Sequence, residues 1–306
     1  MNFLRRGHGP PLLLVHGLGG NRRSWDPIIA SLEKYRELIA VDLPGFGSSS
    51  PLKEKATKLA LAAHLEKFLH EHRLSGIAAV GNGAGGSLVL ELARRSVLGP
   101  AIALNPDGFW SLAQARRFKW IKLLQFQAAR HLLPLLPRIP LLQKFLLLPL
   151  AARPSLISGT FALETLSAIS ESKAFHELLD DLLHGPPFPI STQGDIRHPL
   201  VIGWGDRDRT CPGNEARLAM EKYPDAQFYG FYQCGHFPQW ENPGELLHLI
   251  LSVTAGAKHG DREFQIKGVK IGRRPNARSN FGTVGSWSTP SPLPSPSLYG
   301  ATAVLI

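Results

Sequence analysis

The stretch LLLVHGLGG at residues 12–20 joins four consecutive apolar residues to a glycine-rich loop. A short apolar run that ends in such a turn signal predicts a strand buried on both faces. Glycines directly after a strand let backbone N–H groups turn toward a bound anion, although a plain strand-to-helix turn has the same composition. The stretch therefore predicts a buried strand whose carboxyl end faces either a ligand or a simple turn.

Short apolar runs alternate with helical patterns on both sides of this stretch. Strands are predicted at 12–15, 38–42, 77–80, 101–104, 200–203 and 227–232, and helices at 25–35, 56–72, 84–95 and 245–253. This alternation favours an α/β fold with a doubly wound, mostly parallel sheet and helices on both faces. Ligands of such sheets bind at the carboxyl ends of the strands, so the loops there are the candidates for function.

The alternation stops between residues 107 and 196, where apolar helical stretches are broken by Pro134, Pro137, Pro140, Pro149 and Pro154. This interruption predicts a helical cap inserted between two segments of one α/β core, residues 1–106 and 197–255. Residues 256–306 are rich in proline and serine and carry seven basic against two acidic side chains. We expect this basic tail to be disordered.

Composition excludes several classes of protein. The chain has 306 residues, of which 43% are hydrophobic, so neither wholesale disorder nor a fibrous repeat is expected. The net charge is +10, but half of it lies in the tail, so nucleic-acid binding by the body is not expected. No apolar stretch is long enough for a membrane span and no signal peptide is evident, which predicts a cytoplasmic protein.

The two cysteines, Cys211 and Cys234, are too few for a disulfide framework and form no CxxC pair. We therefore expect neither a metal nor a cofactor. A single disulfide between them stays open, because both follow predicted strands at the same sheet edge.

The loop GNGAGG at residues 81–86 lies between a predicted strand and a predicted helix. It has the layout of the nucleophile elbow Gly-x-Ser-x-Gly, except that Gly83 is the central residue. The dinucleotide fingerprint Gly-x-Gly-x-x-Gly also fits Gly81, Gly83 and Gly86. However, Asn105 stands where that fingerprint would need an acidic residue, and no Walker-type Lys-Ser/Thr pair follows.

Two further loops follow predicted strands: GDRDRTCP at 205–212 and GHFP at 235–238. A carboxylate of the first loop, Asp208 or Asp206, could orient His236 as a general base. A solvated charged turn and a structural histidine are the simpler alternatives. The order of elbow, acid and histidine, each after its own strand, is nevertheless that of one fold.

Together with VDLPGFGSS (41–49) and CGHFPQWENP (234–243), these loops resemble the motifs of cap-bearing α/β-hydrolases over roughly residues 3–254. The resemblance implies Asp208 as the acid, His236 as the general base, and the backbone N–H groups of Leu18 and Ala84 as an oxyanion hole. Substrate contacts are expected from the residues beside the elbow and in the cap, which are His16, Asn82, Phe109, Trp110 and Phe237. The family also usually has a β-hairpin before the strand at Leu12, and only Met1 to Pro11 precede it here.

The departure from the family lies at Gly83, which stands where the family places its serine. Without a hydroxyl group no acyl-enzyme can form at that position. The resemblance therefore implies hydrolysis of an ester or related bond in a lipophilic small molecule, either lost, slow, or carried by a water that His236 activates. Non-catalytic binding of a small ligand is the alternative. Basic cap residues could touch an anionic membrane, although a solvated surface explains them more simply.

Overall fold

The computed structural model describes residues 1–110, 138–211 and 214–255, together with positions 116, 120, 131, 132 and 135. The tail predicted at 256–306 and Pro212 of the acidic loop lie outside the described residues. The same holds for most of the predicted cap between residues 111 and 137.

One sheet is built from seven described strands, namely β1 (Phe3–Arg6), β2 (Pro11–Val15), β3 (Glu37–Val41), β4 (Ala78–Asn82), β5 (Ala101–Leu104), β6 (Leu200–Gly205) and β7 (Gln227–Phe231). Their spatial order is β1-β3-β2-β4-β5-β6-β7. Every neighbouring pair is parallel except β1 with β3. The expected mostly parallel α/β sheet is confirmed.

Described helices of the core cover both faces of the sheet: α1 (Asp26–Leu32), α2 (Lys58–Glu71), α3 (Ala84–Arg94), α7 (Asn214–Lys222), α8 (Pro238–Glu241) and α9 (Pro243–Thr254). Alternate residues of β2 enter two separate cores, because successive strand side chains point to opposite faces. Leu13 packs in the core that includes α2 and α3, whereas Leu12 packs in the core that includes α1 and α9. Burial on both faces explains why β2 is apolar throughout.

The first strand is absent from the sequence-based prediction. Residues Phe3–Arg6 pair antiparallel with β3 as an edge strand. Arg5 and Arg6 are exposed and form ion pairs with Glu37 and Glu33 at 2.8 and 2.9 Å. Two charged residues in a four-residue strand leave no apolar pattern to detect. The helix predicted at 25–35 is also shorter, since a 3-10 turn at Arg22–Trp25 precedes α1.

Between β5 and β6 the described elements are helical: α4 (Pro140–Leu147), α5 (Gly159–Glu171) and α6 (Lys173–His184). A buried ion pair at 3.1 Å joins Lys58 of α2 to Asp181 of α6. Phe161 of α5 packs against Phe237, which follows β7. These contacts hold the helical segment against the carboxyl edge of the sheet. In the described ranges, no helix has both the length and the apolar character needed to cross a membrane.

Candidate active site

A sharp turn at Gly83 joins β4 to α3. Gly83 has φ 55° and ψ −123°, a backbone conformation that glycine adopts more readily than other residues. A Cβ atom on Gly85 would collide with the backbone carbonyl of Val15, so this glycine lets α3 approach β2 closely. The turn therefore places Gly83 at the carboxyl edge of the sheet, directly before a helix N-terminus.

The acidic loop after β6 and the histidine loop after β7 meet beside this turn. Nδ1 of His236 lies 2.7 Å from Oδ2 of Asp208, and both side chains are buried. Oδ1 of Asp208 accepts hydrogen bonds from the backbone N–H groups of Thr210 and Cys211 at 2.8 and 2.9 Å. Asp206 instead accepts the N–H of Cys234 at 3.0 Å. Of the two candidate carboxylates, Asp208 is therefore the one that holds the imidazole.

Asn82, which was expected to contact substrate, has its side-chain amide hydrogen-bonded within the protein. Its Nδ2 donates to the carbonyl of His236 at 2.9 Å, and its Oδ1 accepts from Nε2 of Gln239 at 3.1 Å. Asn105 also donates to the His236 carbonyl, at 3.2 Å, while its Oδ1 accepts the N–H of Gly205 at 2.8 Å. Because buried backbone carbonyls need donors, these two amides are used in fixing the histidine loop.

His16 likewise makes hydrogen bonds within the protein. Its Nε2 accepts the backbone N–H of Leu43 at 3.0 Å, and its Nδ1 lies 2.8 Å from the carbonyl of Gly17. Burial lowers the pKa of His16, which favours the neutral ring that can both accept and donate in this way. These bonds join the loop after β2 to the end of β3, and the contact of His16 with substrate stays a prediction.

A cavity of about 20 Å³ lies beside His236. That volume exceeds the roughly 10–15 Å³ needed for one water molecule. Thr165 borders the cavity with a buried hydroxyl group that has no hydrogen-bond partner among the described residues. The full lining is Gly17, Leu18, Gly20, Ser24, Asp107, Leu150, Phe161, Thr165, Thr210, His236 and Phe237. Of the expected site residues, Leu18 and Phe237 thus share a cavity with His236.

Leu18 and Ala84, the residues expected to form an oxyanion hole, lie at this edge of the sheet, one in the loop after β2 and the other at the start of α3. Ala84 is the first residue of α3, and the first N–H groups of a helix have no acceptor within it. Leu18 lines the cavity from the opposite loop, and the Cα of Gly17 lies 3.6 Å from the point that a Cβ of Gly83 would occupy. The glycine-rich loop after β2 therefore faces the turn at Gly83.

Phe109 and Trp110, which were expected to contact substrate, line a second cavity. This second cavity has a volume of about 270 Å³. Asp107 is the one residue in the linings of both cavities. The lining of the second is Lys58, Asp107, Gly108, Phe109, Trp110, Leu182, Leu183, Gly185, Pro187, Phe188, Lys222 and Tyr223. The larger space is thus mostly aromatic and aliphatic and adjoins the smaller one at a carboxylate.

The sequence-based prediction missed Asp107, which is 3% exposed. Its Oδ2 lies 3.4 Å from the point where a Cβ of Gly83 would stand, and Nε2 of His236 lies 2.9 Å from that point. In sequence, Asp107 belongs to Asn-Pro-Asp-Gly, which has the composition of an ordinary turn. Only its position after a third strand, next to the elbow, could have drawn attention to it.

Both cysteines are free thiols, so the disulfide left open by the sequence is not formed. Potential metal-ligand atoms of Asp208, Cys211 and His236 lie within 4.8 Å of one another. Burial, together with the nearby carboxylates, raises the pKa of the Cys211 thiol. Asp208 already accepts from two N–H groups and pairs with His236, so hydrogen bonding accounts for this cluster without an ion.

Both the sequence and the fold of this chain match known proteins. The model of the alpha/beta hydrolase family matches residues 12–249. The chain is 26% identical over 265 residues to a 2-hydroxy-6-oxononadienedioate/2-hydroxy-6-oxononatrienedioate hydrolase of Comamonas testosteroni, covering 81% of this chain and 89% of that protein. It is also 26% identical to Lipase 3 of Moraxella sp. (strain TA144), covering 76% and 73%.

Among solved structures, a putative lipase from Acinetobacter baumannii AYE matches with a TM-score of 0.67 at 21% identity, covering 83% of this chain and 88% of that one. A thermophilic esterase from Thermogutta terrifontis matches with a TM-score of 0.63 at 21% identity, covering 81% and 90%. At these identities the structural matches establish the fold.

Proposed function

The chain belongs to the alpha/beta hydrolase family, and from this premise we propose that it hydrolyses an ester or related bond in a lipophilic small molecule, with water in place of a serine hydroxyl. Gly83 stands at the elbow, where we expect the family's serine. Turnover is therefore slow, because attack by a bound water replaces the usual attack by an activated side chain.

The observation that carries this proposal is the geometry of His236. Asp208 holds its Nδ1 at 2.7 Å, and its Nε2 lies 2.9 Å from the point where a Cβ of Gly83 would stand. Nε2 of the imidazole thus lies at the turn where the family places its serine. The adjoining cavity of about 20 Å³ has room for one water molecule, which is the nucleophile that remains.

The step proceeds as general-base catalysis. Nε2 of His236 takes a proton from water while the water oxygen attacks the carbonyl carbon of the ester. The N–H groups of Leu18 and Ala84 stabilise the oxyanion that forms. The tetrahedral intermediate then expels the alkoxide, which receives the proton back from His236, so the products are an acid and an alcohol. Sites that lack a triad member still retain roughly 10³-fold catalysis from such an oxyanion hole and binding.

The second cavity supports a lipophilic substrate. Phe109, Trp110 and Phe188 line it, and its volume of about 270 Å³ lies just below the roughly 300–1,000 Å³ typical of ligand pockets. The relatives include a lipase and a hydrolase of an oxo-diacid, as their names state. We take the described helices α4, α5 and α6 as the cap over these cavities, so that an apolar group of the substrate occupies the larger one.

Non-catalytic binding of a small apolar ligand is the second candidate function. It is favoured by the larger cavity, whose lining would serve a bound ligand equally well with no reaction at His236. The two functions differ in their dependence on His236, which hydrolysis requires and simple binding does not.

Hydrolysis of p-nitrophenyl butyrate by the whole chain separates these functions. We expect the native chain to hydrolyse the ester slowly, His236→Ala to abolish turnover, and the exposed-histidine control His70→Ala to leave it unchanged. Gly83→Ser should add a hydroxyl that a fluorophosphonate labels, again only when His236 is present. Turnover that survives His236→Ala would refute the proposed base. No turnover by the native chain, with His236-independent binding of an apolar fluorescent probe, would favour the binding function.

A further inference from the structure

Helix α4 carries apolar side chains on two opposite sides. On its inner side, Leu147 is buried in a small core that also contains Phe161 of α5. On its outer side, Leu141 and Phe145 are 76% and 66% exposed. Single exposed apolar residues are ordinary, but a helix that is apolar all round is typical of burial in a core or in lipid. Packing against the protein accounts for the inner side of α4 and leaves the outer side unexplained.

The exposed apolar residues of α4 form a continuous stripe. Leu141, Phe145 and Leu148 follow one another at i, i+4 and i+7, and residues at this spacing lie on one face of a helix. Leu148 comes directly after the last helical residue and keeps helical dihedral angles, so it extends the same face. It is also exposed. We refer to these three residues as the outer stripe.

Basic side chains border the outer stripe. Lys144 is exposed and lies three residues after Leu141, which places it on the same face. Arg138 is exposed just before the helix begins. At the other end, Nη1 of the exposed Arg209 donates to the carbonyl of Leu148 at 3.2 Å. We refer to the outer stripe and these three basic residues together as the α4 face.

The sequence around α4 is segregated by charge. Residues 108–163 contain eight lysines and arginines and neither an aspartate nor a glutamate. A solvated surface usually mixes charges of both signs, whereas this segment combines one sign of charge with many apolar residues. The charge of any occupant of the α4 face is therefore expected to be negative.

An anionic lipid bilayer has both properties that the α4 face requires. Interfacial helices bury leucine and aromatic side chains at the boundary between headgroups and acyl chains, and their lysines and arginines are attracted to anionic lipids. A second copy of the chain fits less well, because a two-fold contact through this face would bring basic side chains together.

We propose that the α4 face docks this protein on the surface of anionic lipid bilayers. The helix lies along the surface, with the outer stripe among the lipids and the basic groups at the headgroups. This role goes beyond the proposed hydrolysis and does not depend on it. The carbonyl of Leu150, two residues after the stripe, accepts the backbone N–H of His236 at 2.8 Å. Docking therefore brings the candidate site close to a source of lipophilic molecules.

Sedimentation of the whole chain with vesicles tests the apolar part of the proposal. The vesicles are phosphatidylcholine with and without about one-third phosphatidylserine. We expect binding to the anionic vesicles, and we expect Leu141→Ser/Phe145→Ser to weaken it at least about 10-fold, because two large apolar side chains no longer enter the lipid. The control Leu59→Ser/Ile190→Ser removes two exposed apolar side chains elsewhere and should change binding less than about 2-fold. Both variants keep the basic tail, so its contribution to binding is the same in each.

Removal of charge tests the basic part of the proposal. Each lysine or arginine at an anionic surface contributes about 5-fold to binding, so Arg138→Ala/Lys144→Ala should weaken binding about 20-fold. Lys34→Ala/Lys53→Ala removes the same charge from exposed positions elsewhere and should weaken it less than about 3-fold. An equal loss in both variants would mean that net charge alone governs binding, which overturns the role of the α4 face.

The remaining outcomes each decide the proposal. Binding that survives Leu141→Ser/Phe145→Ser overturns it, since the tail or another surface would then hold the lipid. Absence of binding, or equal binding to both kinds of vesicle, overturns it as well. A native dimer in light scattering that only this variant converts to a monomer, without vesicle binding, would make the α4 face a contact between copies. All of these measurements are made without a substrate, so their failure is separate from failure of the proposed hydrolysis.

Discussion

Gly83→Ala measures how firmly His236 is held at the elbow. Alanine substitutions at Gly244, Gly76 and Gly83 separate three effects on the stability of the fold. These are the entropy of the unfolded chain, backbone strain, and contact with His236. Gly244 in α9 has a normal φ and open space around its Cβ point, so Gly244→Ala should stabilise the fold by about 0.4–1 kcal/mol through lower entropy of the unfolded chain. Gly76 has φ +79° and also open space, so Gly76→Ala adds only backbone strain, about 1–3 kcal/mol before the entropic gain.

Gly83 combines a positive φ of +55° with a Cβ point 2.9 Å from Nε2 of His236. The ring must therefore retreat, although Asp208 holds it at 2.7 Å. Weakening a hydrogen bond to a charged group costs up to about 1.5–3 kcal/mol. Adding part of this to the net strain at Gly76, we expect Gly83→Ala to destabilise the fold by about 2–4 kcal/mol, measured by urea unfolding with linear extrapolation.

A double-mutant cycle with His236→Ala isolates the contact. In the His236→Ala background the new methyl group meets no ring, so the cost of Gly83→Ala should fall to that of Gly76→Ala. Equal costs for Gly83→Ala and Gly76→Ala in the native background would refute the inference that the imidazole contacts the point where a Cβ of Gly83 would stand. The same result would make Gly83→Ser an easier substitution than the structure indicates.

Three further predictions concern other parts of the molecule. Lys58→Met should destabilise the fold by about 3–5 kcal/mol in denaturant unfolding, because it leaves Asp181 buried without the ammonium group that lies 3.1 Å away. The double substitution Lys58→Met/Asp181→Asn should cost less than the sum of the single changes. Additive costs would contradict this pairing. For Glu91, burial acts to raise the pKa, but Arg94 and Arg95 outweigh it and lower the pKa below its usual 4.5. A carboxyl group whose pKa is depressed in the folded state stabilises the fold at pH values above its unfolded-state pKa, and this stability is lost as pH falls. The cost of Glu91→Gln in free energy of unfolding should therefore be greatest near pH 7 and shrink below about pH 4.5. A cost independent of pH would refute the pairing with Arg94 and Arg95. In the absence of reductant, iodoacetamide should modify neither of the two buried cysteines in the native protein. It should modify both in denaturant, which the mass of the intact chain reports. An unmodified denatured chain would indicate a disulfide.

Most of the sheet could be predicted because its strands are apolar for a physical reason. Strands covered on both faces are mostly apolar, and the run at 12–15 is followed by Gly17 and the run at 200–203 by Gly205. The edge strand β1 could not be found in the same way, because one of its edges is open and two of its four residues are arginines. Its existence depends on pairing with β3, a long-range contact that no local pattern records.

The residues of the site also differ in how well the sequence predicts their positions. Asp208 and His236 could be placed together because they follow neighbouring strands β6 and β7. The hydrogen bonds of His16 and Asn82 could not be predicted, since a polar side chain in a loop can face a ligand or a buried backbone group. The N–H of Leu43 and the carbonyl of His236 needed partners, and these two side chains supply them. Only the folded structure reveals which buried backbone groups need a side-chain partner.

The proposed base is held by partners that a purely apolar pocket does not require. Burying polar and charged groups costs several kcal/mol each, and apolar residues of similar volume often serve stability as well or better. Asp208 and His236 are nevertheless both at least nine-tenths buried, and Cys211 and Asn82 donate hydrogen bonds to them. A pocket used only for an apolar ligand has no need of a carboxylate paired with an imidazole. The proposed hydrolysis does need this pair, because the carboxylate orients the ring and stabilises the imidazolium that forms when water is deprotonated.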